Sequence, residues 1–389
     1  MEKGVSPIIS VVLLILITVS AIYLVLFVAK PTIDRAYETA ATNEAENNLE
    51  LLDNLIREVA SEGTGSYRSV VLKVSDGDYR TVNTSGNFTG ALQYKIDLKY
   101  SPYTAPMLKK TGNVKYTAGM NGIGLVMYSG LDDGNGTTAA DSSDYNNYGV
   151  LYNGTTSCAN PSTSGAGCPE WVDGKFRKAL KFDGSDDYID IASNFSYTFT
   201  ELTLEAWINV SQYKNYGKII DFGSTSATGR RFDLQVESDG LSIGLDGGIS
   251  GYAKWVSTPS GWLHLVGTWK GTSFVRLYVN GTLKSENTTA PTISSLTIQA
   301  SDAHIVGRRI TATDYFNGTI DEVRIYKRAL TADEVKENYN VNPSDYQAFL
   351  EYSKIIITGN VKIGKGEHKL CIEKIGELNN KPLVRITAC

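Results

Sequence analysis

The sequence predicts a mainly β chain with one long N-terminal α-helix, in which an antiparallel β-sandwich is inserted into a small β head. Three observations carry that expectation. The chain opens on a charge-free apolar run. An apolar period of three to four residues then continues to about residue 60, and beyond residue 66 the chain falls into short alternating stretches punctuated by Gly, Asn and Asp, with almost no helical pattern before Thr331.

The helix comes first. Val5 to Ala29 is 25 residues without a charge, and at about 1.5 Å per residue such a helix more than covers a ~30 Å hydrocarbon core. The run is too long for a secretory signal and lacks a small-residue cleavage site behind it. Pro7 sits in the first turn, where its missing N–H goes unnoticed. After Lys30-Pro31 the residues Ile33, Tyr37, Ala40, Ala41, Leu51, Leu52, Leu55, Ile56 and Val59 keep the helical spacing, with acidic residues on the other faces. Pro31 predicts a kink and Gly63 a stop, giving one helix over 5–62.

The rest of the chain predicts three blocks. Residues 63–121 read as strands at 69–74, 79–82 and 92–100, and residues 342–389 as strands at 348–357, 360–363, 369–375 and 383–387, with a turn at Asn379-Asn380. Neither segment holds enough strands for its own core, so the two are expected to form one discontinuous head. Residues 122–341 between them have the length and strand spacing of a single sandwich.

Composition narrows the function. A net charge of −5 from 37 basic and 42 acidic residues offers no basic footprint, which excludes nucleic acid as a partner. Nine Asn-X-Ser/Thr acceptors follow the apolar helix, at Asn83, Asn87, Asn135, Asn153, Asn194, Asn209, Asn280, Asn287 and Asn317, and fit a glycosylated exterior. Four cysteines allow three connectivities. Local pairing, Cys158 with Cys168 and Cys371 with Cys389, is the economical choice and implies an oxidising compartment. Zinc is disfavoured because no pair has C-x-x-C spacing and His264, His304 and His368 are scattered.

Two resemblances add to this reading. Lys3-Gly4 followed by Val-Ser-Pro-Ile-Ile at the head of a long apolar helix resembles the leader of archaeal type IV pilin-like proteins. That resemblance implies a four-residue leader, 1–4, cut between Gly4 and Val5 by a prepilin-type peptidase, a helix that stays on the mature chain, and like subunits as partners in a filament. Residues 179–189, Leu204-Glu-Ala-Trp207, residues 262–269, Leu277-Tyr-Val-Asn-Gly281 and Phe316 to Tyr326 with Ala329 to Val335 are similar, in order, to motifs of laminin G-like, concanavalin A-like jelly-roll domains. By strand alternation Trp207, Trp262 and Trp269 are expected in the core.

The second resemblance implies one structural calcium, with Asp132, Asp133, Asp141, Asn147 and Asp321 as candidate ligands; no organic cofactor is expected. Asp183, Asp186 and Asp187 are expected as turn formers. No enzyme is expected: the sandwich block carries no alternating acidic triplet of the Glu-x-Asp-x-x-Glu kind, no nucleophile elbow and no His-Glu-x-x-His. His264 is expected as a satisfied core histidine. Tyr145, Tyr148, Tyr152, Tyr213, Tyr216 and Tyr252 are aromatics in loop context able to stack sugars. The sequence thus points to a cell-surface, pilin-like adhesin held by its helix in the membrane or in a filament, with a surface glycan or protein as ligand. The alternatives are a monomeric single-pass envelope or receptor protein and, less favoured, a carbohydrate-active enzyme.

Overall fold

The computed structural model describes residues 7–83, 89–98, 106–118, 120–158, 167–191, 197–223, 231–245, 251–289, 291–299, 302–310, 314–340 and 345–389. The predicted cleavage residues Gly4 and Val5 and the acceptors Asn87 and Asn194 lie outside them.

Helix α1 (Pro7–Leu24) passes through one π-helical turn (Val25–Ala29) into α2 (Lys30–Ser61). Pro31 explains the turn. It has no N–H to donate, and its ring would press on the carbonyl one turn back; the wider coil, in which the Lys30 N–H reaches the Val25 carbonyl, makes room. The large apolar side chains from Val11 to Phe27 are 51–66% exposed. From Ala41 onward one stripe, with Ala45, Leu49, Leu52, Ile56 and Val59, is buried on the head. Ile33, Tyr37 and Leu51 belong to the predicted stripe but stay exposed, because the head covers only the later turns and one side of α2. The chain leaves the helix through an extended Glu62, and the first left-handed glycine is Gly65 rather than Gly63.

Both head sheets interleave the two terminal segments. In the six-stranded sheet Asp345–Glu351 lies between Ala91–Asp97 and Val114–Ala118; in the four-stranded sheet Gly366–Leu378 lies between Tyr67–Val74 and Lys381–Ala388. The strand predicted at 348–357 is two strands. It breaks at Tyr352, whose hydroxyl donates to Asp53 of α2 at 2.6 Å, and resumes as Ile356–Gly359 in the other sheet, parallel to Lys381–Ala388. The hairpin at Asn379-Asn380 has both residues at positive φ, as a type I′ turn requires.

The sandwich packs an eight-stranded against a nine-stranded antiparallel sheet, with Leu204, Phe222, Leu234, Ile243, Trp269 and Ile325 among the residues between them. The outer face of the eight-stranded sheet is covered by helix α3 (Ala332–Asn340) and by residues near the head junction, so Val266, Tyr278 and Tyr326 pack with Met120, Leu330 and Val335. Thr331 and Glu334 form a capping box at the start of α3. Trp269 lies between the sheets, whereas Trp207 is buried on the outer face, ring to ring with Tyr339 at 5.8 Å, and Trp262 is only partly buried. Ion pairs join sandwich and head, Lys327 to Glu351 at 2.6 Å and Lys115 to Asp144 at 2.9 Å.

Candidate functional site

Two places gather charged side chains beyond what the core needs. The first sits at a bulge in the strand Asn317–Tyr326. Opposite the strand Glu201–Val210 the register shifts between Glu205 and Trp207, and Glu322 takes a left-handed φ of 54°. The bulge leaves Asp321 and Glu322 both buried. Asp321 accepts the Phe176 N–H at 3.0 Å through Oδ2, while its buried Oδ1 has no partner. Asp132 accepts the Lys178 N–H at 3.1 Å from the same loop and meets Arg177 at 3.1 Å. Gly174 is needed in that loop, since a Cβ there would stand 2.6 Å from Asp321 Oδ2. Burial and the charge of Glu322 push the Asp321 carboxyl up to about 8, and burial also raises Asp132. A cleft of about 280 Å3 beside Asp132 is lined by Tyr128, Asp133, Ser142 and Arg177.

Of the predicted calcium ligands, Asp321 keeps a buried oxygen, Oδ1, without a donor, whereas both oxygens of Asp132 are engaged, Oδ1 by the Lys178 N–H and Oδ2 by Arg177. The other three candidates are placed differently. Asp133 is exposed and accepts the Ala140 N–H. Asp141 has both oxygens engaged, by the N–H groups of Tyr128, Ser143 and Asn147 and the Ser143 hydroxyl. Asn147 is buried, donating to the Val126 carbonyl. Behind Asp321, Glu322 is bound by Arg324, and Arg324 also binds Glu205, which accepts from Asn338 of α3 at 2.7 Å. Burial works to raise Glu205, but Arg324 and His264 outweigh it and hold the carboxyl down at about 2. His264 belongs to this network, fully buried, its Nε2 3.1 Å from Glu205.

The second place is the outer face of the nine-stranded sheet, where neighbouring strands set Asp190, Ile305, Asp221, Asp233, Gly244 and Tyr252 in one transverse row. The adjacent row is Lys218, Gln235, Ser242 and Lys254. Lys218 donates to Asp233 at 2.7 Å and to Gln235; Gln235 donates to Ser242 at 2.9 Å; Ser242 and Tyr252 donate to Glu237 at 3.0 and 3.3 Å. Asp221, fully buried, accepts the Ile310 N–H through Oδ2, and its Oδ1 has no partner. Burial and the facing Asp233 charge raise Asp221 to about 6. Sequence reading missed this face because its four carboxylates, Asp190, Asp221, Asp233 and Glu237, come from three strands; only Asp233-Leu-Gln-Val-Glu237, with two acids on one strand side, hints at it.

Asp183, Asp186 and Asp187 bring their carboxylates within 4.8 Å of one another. Asp183 caps its own turn by accepting the Ser185 N–H at 2.7 Å, and Lys214 donates to the Gly184 carbonyl in the same turn. Of the loop tyrosines, Tyr148 and Tyr216 are 41% and 49% exposed, Tyr145 and Tyr213 pack against the core, and Tyr152 stacks on Tyr188 at 5.0 Å. Disulfides join Cys158 to Cys168 and Cys371 to Cys389. Among the acceptors, Asn83 and Asn135 are exposed; Asn153, Asn209, Asn280, Asn287 and Asn317 are partly buried, with the Asn287 and Asn317 amides donating to the Tyr252 and Asp183 carbonyls.

Comparison with known proteins places the sandwich. Residues 183–336 match the family model described as the concanavalin A-like lectin/glucanases superfamily, Laminin_G_3. Among curated proteins none matches the chain. Similar solved structures include domain 4 of AbnA, a GH43 extracellular arabinanase from Geobacillus stearothermophilus, in complex with arabinotriose, at 20% identity over 55% of this chain and 98% of that one with a TM-score of 0.43. The botulinum neurotoxin serotype G binding domain is 17% identical over 56% of this chain and 51% of that one, TM-score 0.41. A heptameric SAP-like pentraxin from Limulus polyphemus is 19% identical over 41% and 79%, TM-score 0.34. The chain therefore carries a concanavalin A-like jelly-roll domain, with a long apolar helix at its N-terminal end.

Proposed function

We propose that this chain is a pilin-like surface adhesin: α1 holds it in the cytoplasmic membrane or in a filament of like subunits, and the lectin-like sandwich is displayed outside to bind a glycan or protein. The observation that carries the reading is the contrast in exposure. The large apolar side chains of α1 stand open, while the head and sandwich bury theirs. A bilayer or a bundle of identical helices is what such a surface needs. The two disulfides fit an oxidising exterior.

The domain is read as binding rather than catalytic, and Asp132 with Asp321 as the anionic part of a structural calcium site. Backbone carbonyls and water would complete the six to eight oxygens calcium takes. Equilibrium dialysis checks this directly: the wild-type chain retains about one calcium and Asp321→Asn retains none, whereas equal metal content in the two would end the assignment. Product formation from glycans incubated with the purified chain would overturn the non-catalytic reading.

N-terminal peptide mass spectrometry on protein from native membranes tests anchoring and assembly together. A mature start at Val5 supports processing by a prepilin-type peptidase and a filament subunit. An intact Met1 in an integral membrane fraction favours the monomeric single-pass protein, and recovery in the soluble fraction contradicts both.

A further inference from the structure

We propose that Asp183, Asp186 and Asp187 hold an exchangeable calcium ion at the edge of the sandwich, distinct from the site at Asp321. The three lie in and beside the turn that carries the chain from Lys178–Asp183, in the eight-stranded sheet, to Asp187–Ile191, in the nine-stranded one. Each offers a carboxylate oxygen within 4.8 Å of the other two. That spread is no wider than two Ca–O bonds of about 2.4 Å laid end to end. Asn317 stands opposite Asp183 in register, and Asp321 lies four residues further along the same strand, roughly 13 Å away. One ion cannot serve both places.

Neighbouring acids alone do not make a site, and what points to a ligand is Asp187. The residue is 3% exposed; its Oδ2 accepts the Asp183 N–H at 3.0 Å, whereas its buried Oδ1 has no partner. A buried carboxylate oxygen without a donor is unfavourable, and two further carboxylates beside it add repulsion. A cation relieves both. Asp183 is already oriented for one: its Oδ1 accepts the Ser185 N–H at 2.7 Å, which leaves Oδ2 for an ion. The Gly154 N–H fixes the Asp186 main-chain carbonyl at 2.9 Å. Lys214, the basic side chain at this turn, donates to the Gly184 carbonyl at 2.6 Å and so leaves the carboxylates to another cation. An all-carboxylate donor set selects a hard cation over zinc or copper. Asp183 is exposed and Asp186 half-buried, so water completes the six to eight oxygens. Such an open site belongs in the range of extracellular calcium modules, with a dissociation constant of about 0.1–1 mM. It fills outside a cell and empties on dialysis.

The test uses the full chain in detergent micelles, dialysed into calcium-free buffer so that any ion retained at Asp321 stays in place, and then titrated with calcium to about 10 mM by calorimetry. Expected is saturable uptake of one further ion with a midpoint of about 0.1–1 mM. Asp186→Asn and Asp187→Asn should each weaken it by about tenfold or more, and Asp321→Asn should leave it unchanged. Thermal unfolding without calcium checks that the variants fold; Asp186, half-buried, is the milder site of the two. No saturable uptake by the wild type, or uptake that survives both triad substitutions, overturns the site. Uptake that disappears in Asp321→Asn assigns the ion to that carboxylate and overturns a second site, whereas failure of the triad alone leaves the reading of Asp321 untouched. Tighter binding of magnesium than of calcium overturns the choice of ion.

Discussion

Asp221→Asn tests the buried charge array of the nine-stranded sheet by stability alone. Asp221 is fully buried; Asp233 faces it across the strand pair, and Lys218 and Arg231, the latter at 3.9 Å, are the cations near it. Burial first, then the Asp233 charge, raise the carboxyl from 3.8 to about 6. A folded carboxyl that keeps its proton longer than the unfolded one makes the fold most stable below pH 4, and that stability is withdrawn as pH rises to about 6. The change corresponds to about 3 kcal/mol at most. For a unit the size of the sandwich this is roughly 6–10 °C in midpoint. Asparagine has no proton to lose and can donate its amide to Asp233. Thermal unfolding at pH 4 and pH 7.5 should therefore show the variant close to wild type at the lower pH and several degrees above it at the higher. A difference between the two proteins that stays constant with pH would refute the assignment of this titration to Asp221.

Other substitutions test the scaffold. Arg324→Met strands Glu205 and Glu322 beneath α3 and should cost about 3–5 kcal/mol in chemical denaturation. Replacing Cys158 and Cys168 by Ser opens a loop of sequence separation 10, with an expected loss of about 3 kcal/mol that is absent when the wild type is measured under reducing conditions. Glycopeptide mass spectrometry should find higher occupancy at exposed Asn135 than at Asn287 and Asn317, whose amide nitrogens are engaged in hydrogen bonds.

How much of this was legible in the sequence depended on whether the signal was local. The period of three to four residues marks the stem, and the two-residue period marks strands such as Asn317–Tyr326, whose Val323 and Ile325 face the core while Arg324 and Tyr326 face away. Alternation tells which side of a strand a residue takes but not what lies on that side. Trp207 was expected in the core and is buried instead under α3, because a helix from the far end of the sandwich block covers that face. Pro31 signalled a disturbance in the helix, and the backbone answered with a π turn rather than a break. The acidic row was hidden for a further reason: Asp190, Asp221 and Asp233 share a face only through strand register, which no local pattern encodes. The bulge at Glu322 was invisible for the same reason, since it follows from a register shift against Glu201–Val210.

The measurement that tests the central claim most directly is limited proteolysis of intact source cells followed by peptide mapping of the released and retained material. The account predicts that peptides from the head and sandwich are released into the medium while the α1 segment stays with the membrane or filament fraction. Complete protection of the sandwich until the cells are lysed would place the domain inside and contradict surface display.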